Sequence, residues 1–306
     1  MRRSLWDALL VPVPVLLCLA LLPLVVSNNL LLFNFVMFLT LAQGLNVIYG
    51  FTGFLPFGYV GFFGAGAYGF AMAVMHLHAS PALALLLAGL ASLVVGCILG
   101  PLMRLTGAYF AIANLAAAQA LYQIVSNPAL QDLTKGPYGV ALSGVFAPTR
   151  SYAASLVLLA AVFAVVIWLR NSRFGLSLQA LRDDPVSAAM AGISPVRVRT
   201  TAWLLSALVA GLMGGVFAWQ ISVFYPETAF DLSISIFAIV FTLFGGAGTL
   251  TGPILGVVIL YGIYNAIGIT VPQYFQLIYG ALIVGLVLFL PNGLASILTR
   301  RGIRVP

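Results

Sequence analysis

Charged side chains are scarce in this chain and occur in a few short clusters, and this feature limits the fold most. The 306 residues include 13 lysines and arginines and six aspartates and glutamates, whereas about 25% of a soluble globular protein is charged. Uncharged apolar runs of about 20 residues, the length of a membrane-spanning helix, separate the clusters. Because backbone polar groups must be paired inside a bilayer, such runs form helices. The sequence therefore predicts an all-α, polytopic integral membrane protein.

About ten transmembrane helices follow from these runs. They are predicted at residues 8–26, 30–50, 59–78, 81–103, 106–126, 151–169, 200–220, 232–247, 251–269 and 273–290. Cytoplasmic loops are enriched in lysine and arginine. If the N-terminus is cytoplasmic, ten spans leave every basic cluster on that side: Arg2 and Arg3, Arg104, the segment 170–199, and Arg300 and Arg301. We expect one transmembrane domain over residues 1–306, with both termini in the cytoplasm.

The segment 170–199 is the most polar part of the chain and holds seven of its charged side chains. It reads as two short helices, one near 174–182 and one near 186–191. Asp184 is a favoured N-cap, Pro185 suits the first helical position and Gly192 suits the end. The second helix is predicted to expose a face of small residues: Ala188, Ala189 and Ala191. Two interpretations remain open, a helix pair that docks into a partner's groove and an amphipathic connector on lipid headgroups.

Two glycine-rich stretches, residues 50–58 and 245–253, interrupt apolar runs in the two halves of the chain. Broken segments at corresponding places suggest an internal repeat and a solute path near the middle of the membrane. The alternative is close helix packing, as expected around Gly211, Gly214 and Gly215, because small residues let helices approach.

Several classes of protein do not fit this sequence. No phosphate-binding GxxxxGK[ST] loop occurs, and no acidic residue lies inside a predicted span, as ion-coupled carriers usually require. His76 and His78 fit a polar turn better than a metal site. Cys18 and Cys97 lie in apolar runs, so neither a disulfide nor a metal site is expected there. The basic residues cluster at span ends, which indicates topology rather than nucleic-acid binding. We expect no cofactor and no catalytic site.

Five motifs then occur in one order along the chain. They are QGLNVIYGFTGFLPFGYVGFFGAGAY (43–68), LTGAYFAIANLA (105–116), LTKGPYGV (133–140), SRFGLSLQALRDDPVSAAMAGI (172–193) and TLFGGAGTLTGPILG (242–256). Together they resemble the permeases of branched-chain amino-acid ABC transporters, the LivM group. Lys135 stands where that family more usually has a glycine.

The resemblance implies a permease subunit of an ATP-binding-cassette importer in the bacterial inner membrane. Such a subunit forms half of the path for branched-chain amino acids or a related small polar solute. Its expected partners are a second, LivH-like permease, two cytoplasmic ATPase subunits, a periplasmic solute-binding protein and membrane lipid. ATP hydrolysis would then reside in the partners. The alternatives are import of urea, short amides or small aromatic or organic acids on the same scaffold, a stand-alone solute channel, and an assembly subunit without a path.

Candidate site residues follow from the motifs and from the few polar side chains in the spans. Intramembrane amides are costly unless they are paired, so each either bonds between helices or lines the path. The candidate path residues are Asn46, Asn114, Tyr109, Phe110 and Gln119. The candidate ATPase-coupling residues are Arg182, Asp183, Asp184, Pro185, Val186, Ala188, Ala189, Met190 and Gly192. Glu227, Asp231 and Lys135 are candidates for binding-protein docking.

Overall fold

The computed structural model of the chain describes residues 11–26 and 28–270, with side chains as far as residue 266, and a few isolated positions beyond. Helices dominate this part. They are α1 (Pro12–Leu21), α2 (Asn29–Leu45), α3 (Val60–Leu77), α4 (Pro81–Ile98), α5 (Gly107–Val125), α6 (Gln131–Thr134), α7 (Pro148–Asn171), α8 (Arg173–Asp183), α9 (Pro185–Met190), α10 (Pro195–Ile221), α11 (Pro226–Ala229), α12 (Leu232–Gly245) and α13 (Thr251–Thr270). The strands are β1 (Val140–Ala141) and β2 (Val223–Phe224). One π-helical turn, Asn46–Gly50, extends α2.

The all-α, multi-pass architecture predicted from the sequence is confirmed. Within the described part, seven helical segments are long and apolar enough to cross a membrane: Asn29–Gly50, α3, α4, α5, α7, α10 and Pro226–Gly245. Two shorter apolar helices, Pro12–Leu24 and Thr251–Ala266, correspond to the first and ninth predicted spans. The tenth predicted span, 273–290, lies outside the described residues. Several helices begin earlier than predicted, because a proline such as Pro148 or Pro195 starts them.

Helices α3 and α10 form the centre of the bundle, and α4 packs on both of them. A methyl group on Gly66 would overlap the carbonyl oxygen of Gly211, and one on Gly214 would overlap the carbonyl oxygen of Phe63. The two backbones are therefore in direct contact. The packing interpretation of Gly211 and Gly214 is confirmed, since glycine is the residue that permits this approach.

The two ends of the bundle differ in their polar structure. Helices α8 and α9 precede α10, and β2 follows it, so these elements lie at opposite ends of a helix about 40 Å long. We call the end of the bundle that carries α8 and α9 the coupling end, and the end that carries β2 the loop end. At the loop end, β1 pairs antiparallel with β2, with Val140 opposite Phe224. The His76 Nε2 donates to the carbonyl oxygen of Leu133 (2.9 Å) at the same end.

Candidate coupling and translocation site

The central segment forms two consecutive short helices, as its local signals predict. Asp184 caps α9, because its Oδ1 accepts from the amides of Val186 (2.9 Å) and Ser187 (3.3 Å). Pro185 is the first residue of α9, and Gly192 follows the helix with a φ of +85°. The Ser187 hydroxyl donates to the other carboxylate oxygen of Asp184 (2.5 Å). This hydroxyl, followed by the two amides, lowers the pKa of Asp184 below its ordinary value.

The exposed face of α9 differs from the predicted one. Ala188 is 5% exposed, because the chain turns back after α9 and the amide of Ile193 donates to the carbonyl oxygen of Ala188 (3.1 Å). Val186 and Met190 point outward instead, with 69% and 85% of their surfaces exposed, and Ala189 is exposed beside them. The outer face of α9 is therefore larger and more apolar than alanines alone would make it.

The Asp184 cap leads to a testable expectation. Folding lowers the pKa of Asp184, so the ionised cap stabilises α9 fully at any pH above the ordinary aspartate pKa of about 3.9. This stabilisation is lost only in acid, as the pH falls through the lowered pKa of the folded protein. At neutral pH, Asp184→Ala should expose the amides of Val186 and Ser187, whose deuterium exchange should become several-fold faster. Asp183→Ala is the matched control, because the exposed Asp183 caps neither helix. Equal exchange in both variants would contradict the capping role.

Two arginines connect the coupling helices to the first glycine-rich stretch. The Arg182 Nη1 donates to the carbonyl oxygen of Gly50 (2.6 Å), although the residue as a whole remains exposed. The Arg199 Nη2 lies 3.4 Å from the carbonyl oxygen of Leu181, and its Cζ lies 4.7 Å from the centroid of the Phe54 ring. The sequence interpretation had Arg182 aimed at a partner, and the geometry gives it an intramolecular acceptor.

Asn46 joins the two glycine-rich stretches. Its Oδ1 accepts from the amide of Gly248 (2.7 Å), and its Nδ2 donates to the carbonyl oxygen of Thr249 (2.8 Å) and more weakly to the Gln43 Oε1 (3.4 Å). The Gln43 Nε2 donates to the carbonyl oxygen of Leu250 (2.7 Å). Both amides are fully buried. The two stretches therefore meet at the coupling end, held by Gln43 on α2 and by Asn46 at the start of the π-helical turn.

The remaining candidate path residues lie on α5 and fall into two groups. Asn114 and Phe110 are buried, and the Asn114 Oδ1 accepts from the amide of Gly58 (2.7 Å) while its Nδ2 has no partner among the described residues. The Phe110 ring packs edge-on against Phe54. Tyr109 and Gln119 lie on the opposite face of α5 and are exposed. The structure thus places one pair inside the bundle and the other on its surface.

The candidate docking residues occupy the loop end. Pairing of β1 with β2 brings the loop that carries Lys135 close to the loop that carries Glu227 and Asp231. All three side chains are exposed. The Asp231 Oδ1 accepts from the amide of Ser233 (2.9 Å) and so caps α12. Lys135 has a φ of +64°, a backbone conformation that favours glycine.

Comparison with known proteins decides the family. A family model described as the permease component of the branched-chain amino acid transport system matches residues 29–287. The chain belongs to this permease family. No solved structure matches it significantly.

Characterised relatives of the permease agree with this assignment. The LivM permease of Salmonella typhimurium strain LT2 is 30% identical over 291 residues, which cover 84% of this chain and 67% of the relative. LivM of Escherichia coli K12 is 29% identical over 289 residues, with the same coverage of both chains. The L-arabinose permease AraH of Azospirillum brasilense is 30% identical over 127 residues, 40% of this chain and 38% of its own. The protein is a permease subunit of an ATP-binding-cassette importer.

Two residues of the permease's polar network were not selected as site residues from the sequence. Gln43 precedes Asn46 by three residues, a spacing that puts both amides on one helix face and was available in the sequence. Arg199 carried no such signal, because its contact with Phe54 depends on how α10 packs.

Proposed function

We propose that the permease forms half of a translocation path for branched-chain amino acids or a related small polar solute, opposite a second, LivH-like permease. The observation that carries this is the outer face of α5. Tyr109, Ile112, Ala116, Gln119 and Gln123 are all exposed and recur every three or four residues, so they form one stripe.

That stripe is a poor surface for lipid. An amide facing hydrocarbon loses its hydrogen bonds, so the side chains of Gln119 and Gln123 need protein or water opposite them. By contrast, α4 exposes Leu86, Leu90 and Val94, which suit lipid tails. In our proposal, Tyr109 and Gln119 face the path, and Asn114, Phe110 and Asn46 form the layer behind it.

The coupling helices are the proposed contact with two ATPase subunits. The exposed Val186 and Met190 form an apolar surface, and Asp183 and Ala189 lie beside it. Asp184 and Pro185 begin the helix that carries this surface, and the turn at Gly192 ends it. A stand-alone channel would not need this element. ATP hydrolysis then belongs to the partners, and the permease itself is not an enzyme.

The loop end is the proposed docking surface for a periplasmic solute-binding protein. Lys135 and Glu227 present exposed charges on two loops that the β1–β2 pair holds together, and Asp231 adds a third. Complementary charges at such a surface mainly raise the rate of association. This orientation puts α8 and α9 in the cytoplasm and both termini on the same side of the inner membrane, which agrees with the placement of the arginines.

An impermeant thiol reagent tests the orientation. In a variant lacking Cys18 and Cys97, which are both exposed, intact cells should label Ser143→Cys and not Gln179→Cys. After the membrane is opened, both should react. Labelling of position 179 in intact cells would reverse the proposed topology.

The nature of the solute has one competing candidate. LivM relatives are named for branched-chain amino acids, whereas the partial relatives AraH and FrcC are named for L-arabinose and for fructose import. The scaffold thus serves different small solutes among its relatives. The α5 stripe, with neutral amides and a tyrosine, suits an uncharged or zwitterionic solute.

Reconstitution tests the proposed function. The permease should be placed in proteoliposomes with the second permease, both ATPases and the binding protein, and radiolabelled leucine, isoleucine or valine should then be offered. We expect import that needs ATP, the binding protein and both permeases, while the permease alone neither binds nor hydrolyses ATP. Import without ATP would favour the channel, and import of L-arabinose or fructose in place of these amino acids would assign the permease a sugar as its solute.

A further inference from the structure

The coupling helices reach the membrane-spanning helices through a narrow contact around Gly50. This residue ends the π-helical turn Asn46–Gly50, so its carbonyl oxygen is one of the groups that a helix leaves unpaired at its C-terminus. The Arg182 Nη1 donates to that oxygen at 2.6 Å. A cation at a helix C-terminus also interacts favourably with the helix dipole. The charged donor makes this bond about twice as strong as a neutral one.

The second glycine-rich stretch touches the same point. Gly248 has a φ of +85°, and a methyl group placed on it would lie 3.1 Å from the Gly50 oxygen and 3.3 Å from the Arg182 Nη1. A methyl group on Gly50 would overlap the Asn46 Oδ1 and lie 2.6 Å from the Gly248 nitrogen. We call the group of Asn46, Gly50, Gly248 and Arg182 the Gly50 junction. Three segments far apart in sequence meet there, with no room for a side chain on Gly50 and little room for one on Gly248.

Arg199, which follows the coupling helices in sequence, contacts residues next to the junction. Its guanidinium lies over the Phe54 ring at 4.7 Å and reaches the carbonyl oxygen of Leu181 at 3.4 Å. Residues 50–54 are therefore held by one arginine before α9 and by another after it. Any displacement of α8 and α9 must either break these contacts or move residues 50–54.

We propose that Arg182 is a positioning residue, which passes movement of the coupling helices to both glycine-rich stretches through the Gly50 junction. This inference rests on the proposed function, since it assumes that ATPase subunits move α8 and α9. It differs from a docking role, in which the Arg182 charge would bind an ATPase directly. Arg182 acts here on the permease's own backbone, and Val186 and Met190 are left to meet the partner.

Three variants of the full complex separate these roles. Arg182→Met removes the donor, Arg182→Lys keeps a charged donor, and Arg173→Met removes an exposed charge from the same helix at a distance from the junction. Each is reconstituted with both ATPases, the second permease and the binding protein. The readouts are co-purification of the ATPases, kcat and KM for import at varied binding-protein concentration, and the ATP hydrolysed per solute imported.

We expect Arg182→Met to retain its ATPases, to lose about tenfold in kcat with little change in KM, and to hydrolyse more ATP per solute. Arg182→Lys should recover a large part of the import rate, and Arg173→Met should behave as wild type. Loss of the ATPases from Arg182→Met, with retention by Arg173→Met, would overturn the proposal in favour of docking. Identical kinetics in both methionine variants would also overturn it. If the wild-type complex failed to import, the proposed function itself would be wrong.

A measurement on the wild-type complex guards against a variant that fails to assemble. The amide of Gly53 donates to the carbonyl oxygen of Tyr49 (2.9 Å), and the amide of Gly248 donates to the Asn46 Oδ1 (2.7 Å). Deuterium exchange at both amides should change when a non-hydrolysable ATP analogue binds the ATPases. Unchanged exchange at both would overturn the proposal without any substitution.

Discussion

Gly66→Ala should prevent the permease from forming a stable bundle. The added methyl group would overlap the carbonyl oxygen of Gly211, a backbone atom that cannot rotate away. Helices α3 and α10 would have to separate, and they form the centre of the bundle. Overpacking of this kind typically costs about 1–3 kcal/mol and more where backbones meet. We expect a loss of at least about 3 kcal/mol, seen as a large fall in the melting temperature of detergent-solubilised protein and in its yield.

Gly262→Ala is the control for this change. Gly262 also lies in a helix, α13, and a methyl group there would meet no atom of the described residues within 4 Å. Alanine favours a helix over glycine by up to about 1 kcal/mol, so this variant should be as stable as wild type or slightly more so. If the Gly66→Ala and Gly262→Ala variants had the same melting temperature, the direct backbone contact between α3 and α10 would be absent.

Asn46→Leu is expected to have the second largest effect. The leucine has a similar size but leaves the half-buried amide of Gly248 and the half-buried carbonyl oxygen of Thr249 without their side-chain partner. A fully buried group that loses its partner costs about 1–3 kcal/mol, and each of these half-buried groups should cost about 1 kcal/mol. The loop between α12 and α13 should therefore detach from α2. We expect a lower melting temperature together with loss of import.

Asn265→Leu gives the matched comparison for Asn46→Leu. The Asn265 Nδ2 donates to the carbonyl oxygen of Tyr261, four residues earlier in the same helix (2.9 Å), so its removal leaves α13 intact. This variant should keep the wild-type melting temperature. If Asn46→Leu also kept that temperature and lost import alone, Asn46 would act on the solute path rather than on the junction.

The two predictions depend on different kinds of sequence signal. Close packing at Gly211 and Gly214 was readable, because small residues at three- and four-residue spacing commonly mark helix contacts. The partner helix was not readable, since nothing local to Gly211 identifies Gly66. For Asn46 the cost of a buried amide was foreseen, but its hydrogen-bond partners Gly248 and Thr249 lie about 200 positions away.

The sequence by itself determined the features that depend on local physics. Uncharged runs must become helices in a bilayer, which fixed the class of fold. Asp184, Pro185 and Gly192 act on their own neighbouring backbone, so α9 could be placed from its residues alone. Five motifs in order were enough to indicate the family.

The tertiary structure decided everything that depends on distant segments. The hydrogen-bond partner of Arg182 was one such feature, because its acceptor at Gly50 lies 132 residues away. The sequence around Arg182 is the same whether the arginine binds its own chain or a partner. Burial of Ala188 and exposure of Val186 and Met190 depended on the turn after α9. The pairing of β1 with β2 involves two residues on each side, too few to leave a pattern. Helix packing brings these groups together, and no local interaction encodes it.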